Sequence, residues 1–242
     1  MTAIAIDAPN SVRERLIVAL DVPDARAAQE LVRRIGDAAG FYKVGLQLFT
    51  AEGPNLVREL VSSGRKVFLD LKLHDIPNTV GHAVQNAVAL GASMLTVHAS
   101  GGAEMLRTAA QAAGDRLPLL GVTVLTSMND EDLQETGVSG RTLDQVLRLA
   151  ALARTAGCKG VITSPREIAP VRKLLGEGFS IVIPGVRPQG SAHNDQQRVG
   201  TPYQAIQAGA SHLVVGRPIT QASDPVKAAE AILNEIQSAI RE

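Results

Sequence analysis

Tryptophan is absent from this chain, and aromatic residues make up only 2% of its 242 positions. That scarcity removes the stacking platforms on which single-stranded nucleic acids are held. Neither sign of charge is in excess, since 24 lysines and arginines balance 24 aspartates and glutamates. With no basic block, the chain lacks the electrostatic footprint of a partner for nucleic acid or an anionic membrane, and neither is expected. Cys158 is the only cysteine, which excludes an internal disulfide and suits a reducing compartment. No apolar run approaches the ~20 residues that a membrane-spanning helix needs. The opening segment MTAIAIDAPNSV has no basic stretch followed by a long apolar one, so no signal peptide is expected and a cytoplasmic location is.

What is present is an alternation. Short apolar runs rich in β-formers occur at Arg15–Asp21, Phe41–Gly45, Lys66–Lys72, Met94–His98, Leu119–Val124, Lys159–Thr163, Phe179–Ile183 and His212–Val215. Alanine-rich stretches with helical spacing or helix-start signals separate them: Asp24–Ile35, Asn55–Ser63, Asn78–Leu90, Gly102–Ala113, Leu143–Ala156, Pro165–Leu175, Pro202–Gln207 and Pro225–Ile240. In the last of these, Ser223-Asp224-Pro225 caps and starts the helix, and Ile232, Ile236 and Ile240 are expected to line one face. Strands alternating with helices imply a parallel sheet. Eight such units in this length fit one α/β domain, a (β/α)8 TIM barrel over residues 1–242, with residues 1–12 read as a flexible extension. An open dinucleotide-binding sheet would want GxGxxG after the first strand, where Asp21-Val22-Pro23-Asp24 stands instead.

In such barrels the chemistry sits at the carboxyl ends of the strands. Polar residues concentrate there: Asp21, Lys43, Asp70 and Lys72, His98, Thr126 and Ser127, Arg187, and Gly216-Arg217. The stretch Lys66–Val80, KVFLDLKLHDIPNTV, is the most unusual. Side chains on a strand alternate, so Asp70 and Lys72 are expected on one face with Leu69, Leu71 and Leu73 on the other. Alone, this pattern fits a solvated edge strand or a structural ion pair as well as a reactive site. Lys43, on the neighbouring strand, is expected to approach Asp70, giving a lysine–aspartate–lysine row with Asp75 as a possible fourth member. Opposite charges ~4 Å apart attract by about 4 kcal/mol at an effective dielectric near 20, enough to hold both lysines charged. Ammonium groups repel a cation, so no metal is expected; the row suits delivery of a proton to a carbanion.

The loops after strands seven and eight are the usual phosphate site of this architecture. Here they read PGVRPQG from Pro184 and GRP from Gly216. Glycine admits an anion close to the backbone, and an arginine fork adds charged hydrogen bonds. Each loop alone could be a surface turn; the pair favours phosphate. The long polar segment 187–200, with Gln189, Asn194, Asp195 and Gln196, is read as a lid rather than a plain excursion. His74, His82, His98, His193 and His212 show no metal-ligand spacing. His82 and His212 are expected to be structural and His98 a polar core residue. Thr126-Ser127 is open between a helix cap and a hydrogen-bonding pair for a planar heterocycle.

Together, LIVALD, FYKVGLQLF, FLDLKLHDIPNTV, VTVLTS, the GVRP and QG pair and VVGRP resemble the orotidine 5'-phosphate decarboxylase family, from about Leu16 to Asp224. The resemblance implies loss of carbon dioxide from orotidine 5'-monophosphate to give UMP, without metal or organic cofactor, in a homodimer with shared sites. By position, Lys72 would protonate C6 of the pyrimidine, Asp70 would face the substrate carboxylate, and Lys43 would complete the row and touch the ribose. Asp75 and Thr79 would reach the other subunit's site, and Asp21 would bind a ribose hydroxyl. Thr126 and Ser127 would contact the pyrimidine; Arg187, Gln189, Gln196, Gly216 and Arg217 would serve the phosphate and its lid. Metal-dependent sugar-phosphate decarboxylases and aldolases share DxKxxD but carry an acidic residue on strand two, where this chain has Lys43. A non-catalytic nucleotide sensor would need the phosphate loops but not the charged row.

Overall fold

The computed structural model describes residues 11–188 and 200–241. Its strands are β1 Leu16–Ala19, β2 Phe41–Gly45, β3 Lys66–Leu73, β4 Met94–His98, β5 Leu119–Val122, β6 Gly160–Ile162, β7 Ser180–Pro184 and β8 His212–Val215. They pair in chain order, all parallel, and β8 returns to β1 through Leu16 and Leu213 to close the barrel. Parallel neighbours cannot be joined by a tight hairpin, so each crossing carries helix. These are α1 Ala25–Ile35, α2 Leu46–Ser62, α3 Pro77–Ala89, α4 Gly102–Ala113, α5 Asp130–Glu135, α6 Thr142–Thr155, α7 Ile168–Leu175 and α8 Pro202–Gln207, with α9 Arg217–Thr220 and α10 Pro225–Arg241 after the last strand. The expected (β/α)8 barrel is the fold. The short α5 and α9, inserted after β5 and β8, were not foreseen.

Strand alternation sorts the core into two layers. Ile17, Phe41, Phe68, Met94, Leu120 and Val182 point inward and fill the barrel, so two of the chain's four phenylalanines are spent there. Leu16, Val18, Tyr42, Val44, Val67 and Leu69 point outward against the helices. Each large side chain so buried contributes roughly 1.5–3 kcal/mol.

Local chemistry sets the helix ends. The Asp24 carboxylate accepts from the Ala27 N–H at 2.8 Å and caps α1. α2 begins nine residues before the expected Asn55 because two helical stretches join across a kink at Gly53, whose φ of 65° is open to glycine. In α10, Ile232, Ile236 and Ala239 are buried, but Ile240 is exposed. The expectation for Ile240 fails because two steps of four residues drift about 80° around a 3.6-residue helix, so Ala239 takes the inward position. The proposed N-terminal extension falls mostly on residues 1–10, outside the described residues; a 3-10 turn, Val12–Arg15, then leads into β1.

Candidate active site

The carboxyl ends of the strands assemble a line of alternating charge. The Lys43 ammonium lies 2.8 Å from Asp21 and 3.9 Å from Asp70. The Lys72 ammonium donates to both oxygens of Asp70 at 2.9 Å. The row expected as lysine–aspartate–lysine is therefore Asp21–Lys43–Asp70–Lys72, with Asp21 rather than Asp70 the nearer partner of Lys43. The two inner side chains are only 10% and 13% exposed, for Lys43 and Asp70, so water screens this pair poorly. Gly45 leaves room for this ammonium: a Cβ there would stand 2.7 Å from the Lys43 Nζ and would displace it.

β3 reaches this geometry by an irregular route. Leu69 pairs with Leu95 and Leu73 with Val97, so Asp70, Leu71 and Lys72 together stand opposite Thr96 alone. Lys72 has a φ of 49°, the only positive value outside glycine among the described residues. The face-sharing of Asp70 and Lys72 thus comes from a bulge and not from plain alternation; bulges of this kind re-aim side chains beside active sites. Thr96, wholly buried on β4, donates its hydroxyl to Asp70 Oδ1 at 2.9 Å and accepts the Lys72 N–H at 2.9 Å. The sequence offered no signal for Thr96, since a threonine between Leu95 and Val97 reads as an ordinary β-former.

At the mouth, Asp21, Lys43 and Asp70 line a cleft of about 530 Å³ together with Arg187, Gly216 and Arg217. Arg187 is buried, and its Nε has no hydrogen-bond partner among the described residues. A buried guanidinium donor left open at a cleft wall calls for an anion. The backbone beside it is pinned, because the Arg187 N–H donates to the Gly200 carbonyl at 3.1 Å. Gln189 and Gln196 lie outside the described residues. Gln47 also lines the cleft and was passed over in the sequence, where nothing sets it apart from a helix surface.

The remaining candidates do not line this cleft. Lys72 adjoins the cleft through Asp70. Asp75 and Thr79 are exposed on the rim, and the Asp75 carboxylate accepts the Ile76 N–H at 2.6 Å rather than joining the charged row within the chain. Thr126 is half-buried and Ser127 exposed, in a turn closed by the Met128 N–H on the Leu125 carbonyl. The helix-cap option for this pair is excluded, because Asn129 caps α5. His98 stands with its ring 5.3 Å from that of His74. Burial, then His74 and Lys72, holds its imidazole below the ordinary range. His212 is buried at the start of β8, edge-on to Phe41, and His82 is exposed on α3. Among the described residues no group of three or more His, Cys, Asp or Glu is placed to hold a metal ion, and no helix is long and apolar enough to cross a membrane.

A closed parallel barrel with a charged row and a cleft at the carboxyl ends of its strands is the architecture of a TIM-barrel enzyme. The chain belongs to the orotidine 5'-phosphate decarboxylase / HUMPS family, whose profile matches residues 14–232. It is 52% identical over 219 residues to the orotidine 5'-phosphate decarboxylase of Anaeromyxobacter dehalogenans, covering 90% of this chain and 96% of that one. It is 51% identical over 234 residues to the enzyme of the same name from Moorella thermoacetica, covering 93% of each. The crystal structure of orotidine 5'-phosphate decarboxylase from Lactobacillus acidophilus superposes with a TM-score of 0.83 at 40% identity, covering 91% of this chain and 98% of that one.

Proposed function

We propose that the chain removes carbon dioxide from orotidine 5'-monophosphate without metal or organic cofactor, with Lys72 delivering a proton to C6 of the pyrimidine. Orotidine 5'-phosphate decarboxylase activity in pyrimidine biosynthesis is supported by the family match and by relatives of that name at about half identity; the proposal concerns the route. The observation that carries it is the Asp70 carboxylate held between two ammonium groups beside a cleft with an open guanidinium donor.

In this route the bond from C6 to the carboxylate carbon breaks and its electron pair stays on C6. The Lys72 ammonium stabilises that pair and then transfers one proton to it, while neutral carbon dioxide leaves. The resulting carbanion has no conjugated sink, and enzymes supply about 8–23 kcal/mol of barrier reduction in most reactions. Repulsion between Asp70 and the substrate carboxylate, worth a few kcal/mol, is the smaller contribution. The larger one is a cation fixed in advance where charge develops. Binding of the phosphate by Arg187, Gly216 and Arg217 would supply energy to seat and desolvate the reacting end. Asp21 and Lys43 would hold the ribose hydroxyls, and Thr126 and Ser127 the pyrimidine edge.

A second copy of the chain is part of the same reading. Asp75, Ile76 and Thr79 stand together at the rim, and Ile76 is 66% exposed, an apolar side chain that a partner subunit would cover. In a homodimer, Asp75 and Thr79 would reach the neighbouring site.

The test is the absorbance change of orotidine 5'-monophosphate with purified protein, with and without EDTA. Equal turnover in both supports the metal-free route. Loss of turnover in EDTA, restored by magnesium, would favour the sugar-phosphate branch of barrel lyases instead. Tight UMP binding with no turnover would favour a nucleotide sensor.

A further inference from the structure

We infer that Thr96 is a positioning residue for the reaction: its hydroxyl holds the Asp70 carboxylate and the Lys72 backbone in the arrangement that aims the Lys72 ammonium. The inference rests on the assignment of Lys72 as proton donor made above.

The direction of both hydrogen bonds follows from the groups involved. The Lys72 N–H can only donate, so Thr96 Oγ1 accepts it at 2.9 Å. The single hydroxyl proton is then left for Asp70 Oδ1, also at 2.9 Å, and an ionised carboxylate can only accept. Thr96 is wholly buried, so water does not compete for either bond.

The bulge explains why a side chain is needed at this point. In an unbroken parallel ladder the strand's N–H groups would meet backbone carbonyls of the neighbour. Here three residues of β3, Asp70 to Lys72, face one residue of β4, and the Lys72 N–H is met by the Thr96 hydroxyl instead. A non-glycine residue at a φ of 49° is disfavoured and persists only where its surroundings hold it. Released from Thr96, Lys72 would return toward the extended region and its side chain would turn away from Asp70. Lys43 cannot replace this hold, because it stands 3.9 Å from Asp70 and is taken up by Asp21 at 2.8 Å.

Thr96→Val keeps the shape and removes the hydroxyl, whereas Thr96→Ser keeps the hydroxyl. In Thr96→Val, the expected kcat falls by on the order of 10²-fold, the effect of misplacing a reacting group by about an ångström. KM and the calorimetric affinity for UMP stay within about twofold, because the phosphate-binding residues are untouched. Thr96→Ser returns kcat to near the wild-type value. In the ligand-free protein, exchange of the Lys72 backbone amide, read by NMR, is at least tenfold faster in Thr96→Val than in the wild type or Thr96→Ser. Wild-type turnover in Thr96→Val, parallel loss of UMP affinity, or unchanged amide exchange overturns the inference. Failure of the wild type to decarboxylate orotidine 5'-monophosphate would instead defeat the functional reading, and amide exchange would still decide whether Thr96 holds Lys72.

Discussion

The Lys72 ammonium is 2.9 Å from both carboxylate oxygens of Asp70, two residues earlier on the same strand. A strand-end lysine would ordinarily sweep a wide arc. Here a left-handed backbone and a chelating carboxylate restrict it, so the cation is in place before any substrate arrives. That preorganisation is the basis of the first prediction.

Lys72→Ala should lower kcat by two to four orders of magnitude, the usual contribution of a positioned general acid, or by more if charge stabilisation is lost with it. Affinity for UMP should change little, since the product has no carboxylate and requires no proton. Steady-state kinetics with calorimetry on the same preparation checks both. A variant that still turns over at the wild-type rate would remove Lys72 from the mechanism.

Arg187→Ala tests the open guanidinium donor of the same cleft. A hydrogen bond to a charged group is worth about 1.5–3 kcal/mol, so UMP affinity should fall by roughly 10- to 100-fold. Uridine, which lacks the phosphate, should bind both proteins alike. Equal losses for UMP and uridine would place Arg187 at another part of the ligand.

Stability should fall in mild acid because of His212. Burial, followed by the nearby charge of Arg15, pushes its imidazole down to about 4. In the unfolded chain a histidine titrates near 6.5. Above that value both states are neutral and no stability is lost. As pH falls from about 6.5 to about 4, the unfolded chain takes the proton and the folded one refuses it, costing about 3 kcal/mol by the lower end. Urea unfolding across this range should show the decline, and His212→Leu should flatten it. The lowered imidazole of His98 acts in the same direction.

Mixing addresses the rim residues. If Asp75 serves the neighbouring subunit, inactive Lys72→Ala and Asp75→Ala chains should regain activity together. One of the two sites in each mixed dimer would then carry both wild-type residues, so up to about a quarter of wild-type activity should return at equal mixing. No recovery after verified subunit exchange would confine each site to one chain.

The sequence alone determined the barrel, because eight apolar strand runs separated by amphipathic stretches leave few ways to bury both sheet faces. β2, β4 and β8 match the expected bounds, and the charged residues at strand ends were visible as interruptions in apolar runs. Lys43 and Asp70 were legible as neighbours because adjacent parallel strands carry them in near register. Three things needed the tertiary structure. Asp21 became the nearer partner of Lys43 only when β1 was laid against β2, a pairing that local pattern does not encode. The positive φ of Lys72 arises from a mismatch in length between β3 and β4, a relation between two strands rather than a property of either. Thr96 gained its place from that same mismatch: a hydroxyl becomes a bridge only once folding has brought an unpaired amide and a carboxylate to it and shut out water.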